Sequence, residues 1–341
     1  MRPIRPLALL LGLLVAVGPA GAAEVVLRLH HFLPPPSTAH SKLLKPWAER
    51  IEQASGGRIE VQIYPAMQLG GKPPQLYDQV REGVVDVVWT LTGYTPGRFP
   101  ISEVFELPFM AASAKATSQA AWAFYERYMR EEFRGVHPLL IHVHAPGQFH
   151  LRDRLVRRLE DLQGLKIRTP TRAMRDGLAA LGATPVGMPV PQVPQALARG
   201  VIDGALLPYE VTRPLKVHEL VCCHTEVGGA RGLYTAVFLL AMNRQRYEAL
   251  PPDLRRVIDE HSGMALAREA GEMWDRAEAP GREAARMRGN RIHALPPEEV
   301  ARWEAATRPV VRAWVERMNA MGLDGEAMLR EARALIERYS R

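Results

Sequence analysis

The segment Glu82-Gly83-Val84-Val85-Asp86-Val87 returns in the second half of the chain as Arg199-Gly200-Val201-Ile202-Asp203-Gly204. Each copy follows an amphipathic helical stretch, sets Gly where a helix ends in the left-handed region, and runs into an apolar strand. The strand before each copy also matches in style, Gly57-Arg58-Ile59-Glu60-Val61 against Gly164-Leu165-Lys166-Ile167-Arg168. An α/β chain can repeat such a unit by chance. The alternative is two α/β lobes of like plan with a cleft between them. Helix–strand alternation predicts a largely parallel sheet in each lobe. Ligands of open α/β sheets sit beyond the carboxyl ends of the strands, which places the loops after His30, Thr90, His144, Arg168 and Leu207 around the cleft.

Residues 1–23 read as a signal segment. Arg2 and Arg5 precede the apolar run Leu7–Val17, and Ala20-Gly21-Ala22-Ala23 offers small residues for cleavage. The run is too short to cross a bilayer of about 30 Å. A retained anchor helix is the alternative. No Cys follows the cleavage region, so no lipid anchor is expected. No later stretch approaches the roughly 18 consecutive apolar residues of a membrane span. The chain left after cleavage, about 318 residues, exceeds what one core holds, so two lobes are expected. The formal charge of +7 falls to about +5 without Arg2 and Arg5, and its excess is dispersed. A nucleic-acid footprint would be clustered, whereas a dispersed positive balance suits small anions. The two cysteines, Cys222 and Cys223, are adjacent. Their spacing is read as two small buried apolar side chains rather than a redox pair.

Arg168 is the leading candidate for binding chemistry. It ends a short strand, and Pro170 holds Thr169 extended, so the guanidinium projects from a fixed strand end. Its planar fork matches a carboxylate. An exposed arginine or an internal ion pair is the competing reading. His142 and His144 are two apart on a strand and so share a face, as polar cleft lining or a metal pair, and His30 and His31 follow the same logic. No zinc motif accompanies them. Trp89, Tyr94, Phe149 and Tyr209 stand at or beyond strand ends, where aromatic rings wall pockets, with Gln148 beside Phe149. Glu210 either meets a ligand hydroxyl, ammonium or cation, or serves as a first-turn acid. Serine-elbow, Walker and dinucleotide motifs are absent. An enzyme using His142, His144 and Glu210, or a ligand sensor, stands as an alternative to a binding protein.

The motifs resemble a known family. Tyr64-Pro65-Ala66-Met67-Gln68-Leu69-Gly70-Gly71, Gly83-Val84-Val85-Asp86, Glu106-Leu107-Pro108-Phe109, Glu160 through Arg168, Leu181-Gly182-Ala183-Thr184-Pro185-Val186 and Gly200-Val201-Ile202-Asp203-Gly204 occur in an order and spacing similar to the DctP family, the periplasmic substrate-binding subunits of TRAP transporters. The resemblance implies a two-lobed periplasmic-binding-protein (Venus-flytrap) α/β fold with a long bracing helix. It implies lobe I from 24–146 and 233–274, lobe II from 147–232, and C-terminal helices over 275–341 packing across both. It implies that Arg168 binds a ligand carboxylate, that the protein is periplasmic and not an enzyme, and that its partners are a small organic acid and small and large integral-membrane subunits. No cofactor is implied, although Pro208-Tyr209-Glu210 is similar to a motif that in some branches holds a cation beside the ligand. Leu207 stands where the sialic-acid branch carries Asn, which argues against that ligand.

Overall fold

The computed structural model describes residues 23–341, so the signal segment read over 1–23 lies almost wholly outside the described residues. Eleven strands follow in chain order: β1 (Val25–His31), β2 (Ile59–Tyr64), β3 (Val87–Leu91), β4 (His137–Val143), β5 (Gln148–Leu151), β6 (Lys166–Thr169), β7 (Thr184–Gly187), β8 (Gly204–Leu207), β9 (Cys223–Glu226), β10 (Val237–Met242) and β11 (Arg291–Ala294). They form two sheets, ordered β2-β1-β3-β10-β4 and β11-β9-β5-β8-β6-β7. Each sheet is the floor of one lobe. The central strands β3 and β10 are buried at every position, as strands covered on both faces must be, while the first residues of β1 alternate.

The repeated motif is one structural device used twice. Gly83 and Gly200 take φ of 74° and 69°, ending the helices Leu76–Arg81 and Val193–Ala198. Val85 and Ile202 are buried, and the preceding valines, Val84 and Val201, are 53% and 51% exposed. The Asp86 carboxylate accepts the Arg28 amide at 2.8 Å, and the Asp203 carboxylate accepts the Lys166 amide at 2.8 Å. In both lobes the aspartate ties its strand to the parallel neighbour.

Neither sheet is wholly parallel. β10 runs antiparallel to β3 and β4, and β5 runs antiparallel to β8 and β9. Two short non-helical segments, residues 144–147 and 227–236, carry the chain directly from one sheet to the other. A strand delivered by a direct crossing needs no helical crossover, so it can enter the new sheet reversed. The crossings are locked together. The Gly147 amide donates to Tyr234 O at 2.8 Å, a Cβ on Gly147 would strike the Tyr234 ring, and one on Gly232 would strike Pro146.

The helix Gly263–Met287 spans 25 residues, about 37 Å, and touches both lobes. Its Asp275 carboxylate accepts the amides of Ala114 and Lys115, at 2.7 and 3.0 Å, at the start of a lobe I helix. One turn on, Glu278 accepts those of Tyr209 and Glu210, both at 3.0 Å, at the start of a lobe II helix. Gly271 and Gly281 let the backbone of each lobe approach. The following helix, Pro297–Ala320, also bridges: Trp303 packs on Phe149, and the Trp314 indole donates to Pro100 O at 2.8 Å. No helix among the described residues is long and apolar enough to cross a membrane.

Cys222 and Cys223 are joined in a disulfide, which corrects the reading of two independent apolar side chains. The backbone bends at Cys222 before β9 begins, so the usual alternation of neighbouring side chains is broken there.

Candidate functional site

Between the lobes lies a small cavity lined by residues of both. The carboxyl end of β6 brings Arg168 to it, and the segments following β1, β3, β4 and β8 bring Phe32, Tyr94, His144 and Pro208. The lobes are closed over it, since the Val190 amide of one donates to the Tyr94 hydroxyl of the other at 2.9 Å.

Arg168 sits at the cavity and is only 1% exposed. Its Nε donates to Met188 O at 3.0 Å and one terminal nitrogen to Leu206 O at 3.2 Å. These two carbonyls aim the guanidinium. Among the described residues no carboxylate oxygen lies within 4.0 Å of it. A buried, uncompensated charge is costly, and an incoming anion relieves that cost. The Tyr94 and Tyr234 phenols lie close enough to feel its charge, which opposes the upward push of burial on both.

The walls are aromatic. Phe32 stacks on Trp89 with centroids 5.0 Å apart, and Trp89 stacks on Phe238 at 4.6 Å. Trp89 is held in place by donating its indole N–H to His142 Nε2 at 3.0 Å. Glu210, on the first turn of the short helix Tyr209–Thr212, lines the cavity at 7% exposure. Its Oε2 and the Trp274 Nε1 are both buried without a hydrogen-bond partner among the described residues, although Trp274 and Thr38 lie close enough to favour the charged form slightly. Burial dominates and lifts the Glu210 pKa to about 7.

A raised carboxyl pKa has a defined effect on stability. The folded chain holds the Glu210 proton more tightly than the unfolded chain, whose value is near 4.5. Its favourable contribution is therefore complete below about pH 4.5 and is lost as pH rises to about 7. We expect Glu210→Gln to gain stability over the parent between these limits, on the order of 2–3 kcal/mol, with a constant difference above them. Urea denaturation at stepped pH reads this out, and a pH-independent difference would contradict it.

Of the residues singled out in the sequence, Arg168, Trp89, Tyr94, His144 and Glu210 come together at the cavity. Four others do not, and their expected placement is corrected. Tyr209 turns one residue's rotation away from Glu210, packs on His150 at 5.0 Å and donates to Glu226 at 3.1 Å. Phe149 faces the far side of its sheet, against Trp303. Gln148 accepts the Val227 amide at 2.7 Å. His31 is bonded to His40 at 2.9 Å, and its neighbour His30 to Gln79 at 2.8 Å. His142 and His144 do not form a pair, because β4 ends at Val143 and their rings diverge, the first beneath Trp89 and the second to the cavity. An enzymatic trio of His142, His144 and Glu210 is therefore not assembled. Among the described residues no group of three metal-binding side chains occurs. Phe32, Tyr234 and Phe238 were not foreseen. Phe32 and Tyr234 lie just past a strand end and in an interlobe crossing, which is the signal that could have pointed to them.

Two lobes on paired crossings, spanned by one helix and closed over a buried guanidinium, define a solute-binding protein of the periplasmic-binding type. The comparisons agree. Residues 29–317 match DctP, bacterial extracellular solute-binding protein, family 7. The structure is similar to a marine metagenome TRAP solute-binding protein specific for aromatic acid ligands, solved with metahydroxyphenylacetate (48% identity, TM-score 0.91, covering 93% of this chain and 100% of that one). It is equally similar to a TRAP solute-binding protein from Rhodoferax ferrireducens T118 with copurified benzoate (48% identity, TM-score 0.91, covering 92% and 98%). The C4-dicarboxylate-binding periplasmic protein DctP of Rhodobacter capsulatus is 26% identical over 306 residues, 89% of this chain and 90% of that protein. The chain belongs to the DctP family, the solute-binding proteins of TRAP transporters.

Proposed function

We propose that this protein captures an aromatic monocarboxylate in the interlobe cavity and delivers it to the membrane subunits of a TRAP transporter. The observation that carries this reading is the Arg168 guanidinium, buried without a carboxylate partner in a cavity walled by stacked aromatic rings. One fixed cation matches one carboxylate. A second carboxylate would meet Glu210, itself pushed toward the neutral form, and find no positive partner. A flat ring extends the Phe32–Trp89–Phe238 stack, an arrangement favoured over simple apolar contact. Ligands carried by relatives of 48% identity, benzoate and metahydroxyphenylacetate, have this chemistry.

The ligand leaves unchanged, since the protein is a carrier and not a catalyst. Contacts from both lobes favour the closed form, and a ligand shifts that equilibrium only by its differential affinity for it. Binding requires no cofactor, so a chelator leaves affinity unaltered. The N-terminal segment directs export to the periplasm, where the closed form meets the small and large integral-membrane subunits.

Thermal shift with benzoate, cyclohexanecarboxylate, benzamide and succinate tests the site. Benzoate should stabilise most, cyclohexanecarboxylate less, and benzamide and succinate hardly at all. Stabilisation by succinate with benzoate inert would refute the aromatic monocarboxylate. Native mass spectrometry of protein purified without denaturation would identify a carried-over acid.

A further inference from the structure

We propose that His144 is a specificity-determining acceptor that selects an aromatic acid bearing a hydroxyl on the carbon next to its carboxylate. This rests on the reading of the cavity as an aromatic-acid site and adds a second polar requirement to it.

His144 lies in the first crossing between lobes, is 3% exposed and lines the cavity. Its Nδ1 faces two oxygens, Ala145 O at 2.5 Å and the Thr235 hydroxyl at 3.3 Å. The carbonyl can only accept. The Thr235 hydroxyl gives its one proton to His144 O at 2.7 Å, so it offers the ring only a lone pair. Nδ1 therefore carries the ring proton. Burial, helped by the nearby Arg168 charge and opposed by the Ala145 carbonyl, holds the ring pKa at about 4, so the ring is neutral at ordinary pH. Nε2 is then a bare acceptor, and it is buried with no partner among the described residues.

A buried acceptor left unmade is a cost that a donor removes. A carboxylate has no proton to give, and Arg168 claims it in the same cavity. The donor must come from another group of the same ligand, since His144 and Arg168 line one cavity. A hydroxyl on the carbon next to the carboxylate is the donor held nearest to the group that Arg168 claims. Thr235 and Ala145 fix the ring, so the acceptor is in place before the ligand arrives.

Titration calorimetry with mandelate and phenylacetate, which differ by this hydroxyl alone, tests the proposal. In the parent protein the better mandelate enantiomer should bind at least about tenfold more tightly. His144→Phe should bring the two acids to within about twofold of each other. Should that variant fail to fold, the parent suffices. Its binding heats should be equal in phosphate and Tris, which shows that no proton is taken up. Proton uptake on binding would mean that the ring becomes a cation, and it would overturn the acceptor role. Equal affinity of the parent for both acids would also overturn the proposal, while leaving the aromatic-acid site standing. Binding of neither acid would overturn both.

Discussion

Arg168→Ala is expected to abolish ligand-dependent stabilisation while lowering the apo melting temperature only modestly. The side chain offers a carboxylate charge-assisted hydrogen bonds, each contributing roughly 1.5–3 kcal/mol. Two of them correspond to a loss of affinity of about 150-fold to more than 10⁴-fold. Folding is less affected because two effects oppose one another. The substitution leaves Met188 O and Leu206 O without a donor, but it also removes a buried charge that no acid compensates. Calorimetry with benzoate, alongside melting of the apo form, separates the two. Arg168→Lys should not rescue binding, because a point charge cannot hold both carbonyls and a carboxylate in one plane. Undiminished ligand stabilisation in Arg168→Ala would show that the guanidinium is structural.

Gly281→Ala is expected to destabilise the protein by about 2–4 kcal/mol, although alanine is the better helix former by about 1 kcal/mol. A Cβ there would overlap the Tyr209 carbonyl, at the point where the long helix meets lobe II. The overlap is with backbone, which cannot turn aside. Pushing the helix outward would also strain the bonds from Glu278 to the Tyr209 and Glu210 amides, so ligand affinity should fall with stability. Gly271→Ala should act alike at lobe I, where a Cβ would meet the backbone of Ala114 and Lys115. Gly187→Ala is the control, since nothing lies within 4 Å of the added atom and no left-handed φ is required. Chemical denaturation of the three variants checks this ordering. A neutral Gly281→Ala would mean that the helix does not clamp the lobes.

The aspartate of the repeated motif shows how much was legible locally. Gly83 and Gly200 announce helix ends, the apolar residues after them announce strands, and Asp86 and Asp203 follow at the same offset in both lobes. The strand-end rule likewise brought Arg168, Trp89 and Glu210 under consideration. It failed at Tyr209, Phe149 and Gln148 because proximity to a strand end does not say which way a side chain turns. Phe149 is directed by Trp303, on a helix more than 150 positions later in the chain. β11 was hidden inside a helical region, since its strand character comes from pairing with β9 rather than from its own four residues.

The amino-acid order alone determined the α/β class, the doubled lobe plan and the arginine at the end of β6, because capping, strand alternation and the stiffness of Pro170 act over a few residues. Tertiary structure decided which rings wall the cavity, which histidine offers it a bare nitrogen, and that Arg168 faces no acid. Those outcomes depend on groups from both lobes and the bridging helix meeting at one place, and no short stretch of chain encodes such a meeting.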